Sequence, residues 1–91
     1  MREALIDVLL LEVEGRRIGL PASLVLEVLP SAAVETLDGA PDLVEGVLNV
    51  RGQLLPVVSM RRRLGAPDRP PRVDDHLVRV ETGGRELLLR V

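Results

Sequence analysis

Few residues in this sequence can do chemistry. His76 is the single histidine, and there is no cysteine. A metal ion would have to be held largely by carboxylates. Asp74 and Asp75 adjoin His76, but neighbours along one segment do not converge on one ion. His76 therefore reads as solvated or structural. Ser23, Ser31 and Ser59 lack the sharp strand-to-helix setting of a nucleophile, and only His76 could serve them as base. The glycines of "GLPASLV" and "TGGREL" lack the lysine and the spacing of a phosphate loop. No catalytic residue, metal or cofactor is assigned, and the chain reads as a non-enzyme.

The charged residues point elsewhere. In "VEGVLNVRGQLLPVV", residues 44 to 58, Arg51 stands at the tip of an apolar segment. Such a placement suits docking: apolar area for affinity, one guanidinium fork for register. Asn49 and Gly52 have the chemistry of a tight turn, with Asn49 able to tie it by side-chain hydrogen bonds. The run Arg61 to Arg63 reads either as a solvated helical turn or as a patch for an acidic partner.

Bulk composition narrows the classes. The chain has 91 residues, which suits one domain over 1–91. Hydrophobic residues reach 46% with no Phe, Tyr or Trp, so the core must be aliphatic. Net charge is −2, and all 12 basic residues are arginine. That balance offers no general attraction for nucleic acid or an anionic membrane. A small β-barrel binding nucleic acid is the alternative reading, weakened by the lack of aromatic stacking platforms. The longest apolar run, Val8 to Leu11, is too short to insert in a bilayer. The N-terminus is a poor signal peptide, so a cytoplasmic location is expected.

The elements that must position Arg51 follow from turn signals. "LIDVLLLEVEGRRIGLP" reads as a hairpin turning at Gly15. "PASLVLEVLP" reads as a short helix, with Pro21 at its start, Pro30 as its stop, and Leu24, Val25, Val28 and Leu29 as its apolar stripe. A strand is expected at about 33–37. "VEGVLNV" and "QLLPVV" read as two strands joined at Arg51-Gly52, with an edge or bulge where Pro56 cannot donate. "SMRRRLG" is a helical turn capped by Ser59 and ended by Gly65. "HLVRVETGGRELLLRV" is a further hairpin about Gly83-Gly84. About seven short strands result, hence an all-β fold built as a small barrel.

"VEGVLNVRGQLLPVVSMRRRLG" resembles the signature of the CheW-like domain family, the coupling modules of bacterial chemosensory arrays. The matching residues are Gly46, Asn49, Arg51, Gly52, Pro56, Val57, Arg61, Leu64 and Gly65; Ser59 stands where the family usually has Asp. The flanking hairpins resemble the family's as well. The family's later strands and terminal helix have no counterpart, so a C-terminally short variant is expected, incomplete relative to the double SH3-like β-barrel. The resemblance implies a non-enzymatic adaptor that binds the helical tip of a chemoreceptor, a methyl-accepting chemotaxis protein. On that reading Arg51, Asn49, Val25, Val47 and Gly52 contact the receptor. A CheA-type kinase regulatory domain or another CheW-like protein would be a further partner, with kinase binding weakened. Arg61, Arg62 and Leu54 are the candidates for a further contact. Val25, Leu29, Val47 and Leu54 could instead all be core, which is the reading preferred for Leu29 and Leu54. "ELLLRV" at the end of the chain is expected to be an exposed strand edge, open to pairing with a second copy.

Overall fold

The computed structural model describes residues 7–67 and 69–91. Seven strands appear among them: β1 (Val8–Val13), β2 (Arg16–Pro21), β3 (Val25–Pro30), β4 (Val44–Val50), β5 (Gln53–Ser59), β6 (His76–Thr82) and β7 (Arg85–Arg90). A single 3-10 turn, Ala22–Leu24, precedes β3, and one short helix, α1 (Met60–Arg63), follows β5. The all-β reading and the small barrel are confirmed.

Three two-residue turns shape the hairpins. At Glu14-Gly15, Arg51-Gly52 and Gly83-Gly84 both residues have positive φ. That is the primed geometry whose twist matches the flanking strands. Helix α1 is capped as its sequence implies, with Ser59 Oγ accepting from the Arg62 N–H at 3.2 Å and Gly65 left-handed at φ 71.

Two expectations fail, and they compensate in the strand count. "PASLVLEVLP" is a 3-10 turn and a strand, not a helix. β-Branched Val25 and Val28 favour the pleated state, and a register shift lies between Val25 and Glu27 on the ladder to β6. The extra residue moves the apolar positions out of simple alternation, and this mimics helical spacing. The strand expected at 33–37 shrinks to one bridge, Glu35 with Val47.

That bridge closes the barrel. Five strands run in the order β3-β6-β7-β5-β4, and the chain leaving β3 returns to β4 through reciprocal hydrogen bonds of 2.9 and 2.8 Å between Glu35 and Val47. Gly46 permits the approach: a Cβ there would lie 2.0 Å from the Glu35 carbonyl oxygen. β7 sits inside this sheet, antiparallel to β6 and parallel to β5. "ELLLRV" is thus a central strand and not an exposed edge. Its near-continuous apolar run is what burial on both faces requires. Pro56 precedes Val57, where the ladder to β7 begins, so the missing N–H interrupts no pairing to that side.

β6 and β7 each serve two cores. Leu77 and Leu88 point into the barrel with Val50, Leu55 and Val57, with Leu29, Ala32, Val34 and Leu48 around them. Val78, Val80, Leu87 and Leu89 face outward to a second cluster with Leu11. The hairpin β1-β2 covers that cluster with Leu9, Ile18 and Leu20, and Val25 and Val91 join it.

Candidate functional site

The β4-β5 hairpin carries one buried and one open face. Leu48, Val50, Leu55 and Val57 turn into the barrel. Val47 and Asn49 turn the other way, opposite Pro56 and Leu54 across the ladder. Leu54 is 65% exposed, so it is not a core residue. At the tip, Asn49 Oδ1 accepts from the Gly52 N–H at 2.8 Å, and Arg51 holds φ 50. Val47, Asn49, Leu54, Arg51 and Gly52 therefore form one contiguous surface.

Arg51 is not a lone charge. Its guanidinium pairs with Glu27 on β3. Glu27 also accepts from Arg79 at 3.1 Å, and Arg79 donates to Glu86 at 2.6 Å and to Gln53 at 2.8 Å. Hydrogen bonding from Arg51 holds the Glu27 carboxyl below the ordinary glutamate range, and Arg79 reinforces the effect. These groups close one end of the barrel. The left-handed backbone at Arg51 costs about 1 kcal/mol, and its side chain is tethered across the barrel mouth.

The opposite end is also polar. On β7 the barrel-facing positions are Glu86, Leu88 and Arg90, which puts an ion network on each side of a fully buried leucine. Arg90 is buried and donates to Glu45 at 2.9 and 3.1 Å, to Ser31 Oγ at 3.1 Å and to the Ala32 carbonyl at 3.3 Å. Asp75 is buried beside it, accepting from Arg69 at 2.7 and 3.2 Å and from the Arg72 N–H at 2.9 Å. Those bonds, Arg69 first, lower the Asp75 pKa against the cost of desolvation.

The remaining expected site residues separate from the hairpin. Val25 lies on β3, half-buried against the second cluster. Arg61 pairs with Glu14 at the tip of the β1-β2 hairpin and also donates to the Pro67 carbonyl. It ties α1 to that hairpin and is mostly buried. Arg62 donates to the Asp42 carbonyl at 2.9 Å. Nothing in the sequence pattern joins Glu27, Arg79 and Glu86, because Glu27 and Arg79 lie 52 residues apart and only closure of the barrel brings them together.

The CheW-like domain model matches residues 7–91. The chain belongs to the CheW-like domain family. Among solved structures it is similar to the scaffolding protein TtCheW from Thermoanaerobacter tengcongensis, at 26% identity and a TM-score of 0.87. That match covers 94% of this chain and 59% of that one. No curated protein matches significantly in sequence. The barrel and the Asn49-to-Gly52 turn at its rim both lie within the matched residues. No helix among the described residues is long and apolar enough to cross a membrane.

Proposed function

We propose that this CheW-like domain is a non-enzymatic adaptor of a bacterial chemosensory array, docking the helical tip of a methyl-accepting receptor on its β4-β5 hairpin. The observation that carries this reading is the outward face of the hairpin. Exposed Leu54 and half-buried Val47 supply apolar area, beside a rigid turn that presents Arg51. Helical partners bury aliphatic side chains in such surfaces, and a rim guanidinium fixes register on a carboxylate. Arg51 is 63% exposed although paired, so a receptor carboxylate can share or replace Glu27.

Contact with a CheA-type kinase regulatory domain is the weaker of the two in this reading. The barrel behind the hairpin is closed, whereas the second cluster is covered by one hairpin only. Titration of the purified chain against a receptor signalling tip tests the proposal. Arg51→Glu is expected to abolish retention while the melting curve stays within a few degrees of the parent. Undiminished retention would exclude the hairpin as the receptor site. Arg51→Lys is expected to weaken binding, because the planar fork is lost.

A further inference from the structure

Glu35 shares the outward face of the β4-β5 hairpin, at the end away from Arg51. It forms an antiparallel bridge with Val47, bonded in both directions through the backbone. Residues directly opposed in an antiparallel pair carry their side chains on one face. Val47 points away from the barrel, so Glu35 does too, while its neighbour Val34 packs inward against the core. Glu35 is exposed, and among the described residues its carboxylate has no ion-pair or hydrogen-bond partner. Arg51 at the other end is 63% exposed. The face thus runs from an acid, across Val47, Pro56 and Leu54, to a guanidinium.

We infer that Glu35 is a second specificity determinant of this surface: it receives a lysine or arginine of the docked helix while Arg51 receives a carboxylate. This rests on the receptor reading above and adds the partner's charge pattern to it. Val47, beside Glu35, and Arg51 are separated along the hairpin by about 13 Å, at ~3.3 Å per residue. Two turns of an α-helix return a side chain to the same face after about seven residues and 11 Å, and the long Arg51 and partner side chains cover the difference. The partner helix therefore carries a base and an acid seven positions apart. Aliphatic residues at the third and fourth positions between them lie over Val47, Pro56 and Leu54. A helix laid the other way round would set its acid against Glu35 and its base against Arg51. Like charges so placed are strongly unfavourable, so the pair fixes the direction of the helix as well as its register.

Titration of the whole chain against a receptor signalling tip tests it. Glu35→Gln is expected to lower affinity about threefold, the scale of an exposed ion pair. Glu35→Arg should lower it about tenfold or more, because like charges then meet. Both variants should keep the parental circular dichroism, since the bridge to Val47 is made by backbone alone. Replacing the tip's lysines and arginines by glutamate one at a time locates the partner group. One such tip should bind Glu35→Arg more tightly than it binds the parent, and its altered position should lie seven residues from an acid of the tip. If Arg51→Glu loses the tip while Glu35→Arg binds it like the parent, the inference is overturned and the receptor reading stands. Failure of every altered tip to recover binding to Glu35→Arg overturns it in the same way. Undiminished binding by Arg51→Glu removes the receptor reading, and this inference with it.

Discussion

Gly46 lies so close to Glu35 that a single added methyl would meet the Glu35 carbonyl oxygen at 2.0 Å. That approach lets the chain after β3 bond reciprocally to Val47 and close the barrel without a full strand. The neighbour here is backbone, which cannot rotate away. Gly46→Ala is therefore expected to destabilise the domain by about 1–3 kcal/mol, the usual cost of an overpacked site. Urea denaturation measures this. Hydrogen exchange should show the Glu35 and Val47 amides losing protection before those of β6 and β7. An unchanged midpoint would mean that closure at this point contributes nothing.

Acid should open the other end of the barrel. Asp75 is buried, and the Arg69 guanidinium holds its pKa below the ordinary 3.8. A carboxylate depressed on folding contributes stability that is fully present above its unfolded value and is lost as pH falls from there through its lower folded value. The loss should thus begin near pH 4 and continue below it. Asp75→Asn should remove this part of the acid limb and cost about 2–3 kcal/mol at neutral pH, less than a fully buried pair because Arg69 can turn to water. Parallel slopes for parent and variant between pH 5 and pH 2 would contradict the assignment.

The elements legible in the sequence were those written locally. The turns at Glu14-Gly15, Arg51-Gly52 and Gly83-Gly84 announced three hairpins, and Ser59 with Gly65 announced α1. β3 carries a helix-like pattern in sequence because its bulge at Val25/Glu27 disrupts the period of two, while Pro21 and Pro30 imitate helix boundaries. The central place of β7 could not be read, since a strand buried on both faces and an exposed apolar edge have the same composition. In the site, Asn49, Arg51 and Gly52 were visible as turn chemistry. Their partner Glu27 was not, because the contact exists only after the barrel closes. Leu54, read as core, faces outward because the register with Asn49 sets its side.

Arg61 links two parts of the fold that share no ladder. It reaches from α1 to Glu14 in the first hairpin's turn, lowering the Glu14 pKa mainly through a hydrogen bond. Arg61→Ala is expected to loosen that hairpin locally. Amide exchange in β1 and β2 should quicken several-fold while that in β5 to β7 stays near parental, as expected of a unit that opens sub-globally. Uniform acceleration throughout the chain would instead place Arg61 in the support of the barrel itself.

Val25 and Leu54 should part company under the same substitution. The family resemblance places Val25 in the receptor contact, but the structure packs it against Leu11, Val78 and Val80. A carboxylate there would be desolvated without a partner, so Val25→Asp is expected to cost about 3 kcal/mol of stability. Receptor binding would then fall only as the folded fraction falls. Leu54 is exposed beside Asn49 and Arg51, and Leu54→Asp should change stability by less than about 0.5 kcal/mol. It should nonetheless reduce receptor affinity at least tenfold, because it puts a charge into the apolar platform beside the guanidinium that fixes register. Melting curves and receptor titrations on the two variants decide the matter together. If Val25→Asp melts like the parent and loses the receptor while Leu54→Asp keeps it, the docking surface lies on β3 and not on the β4-β5 hairpin.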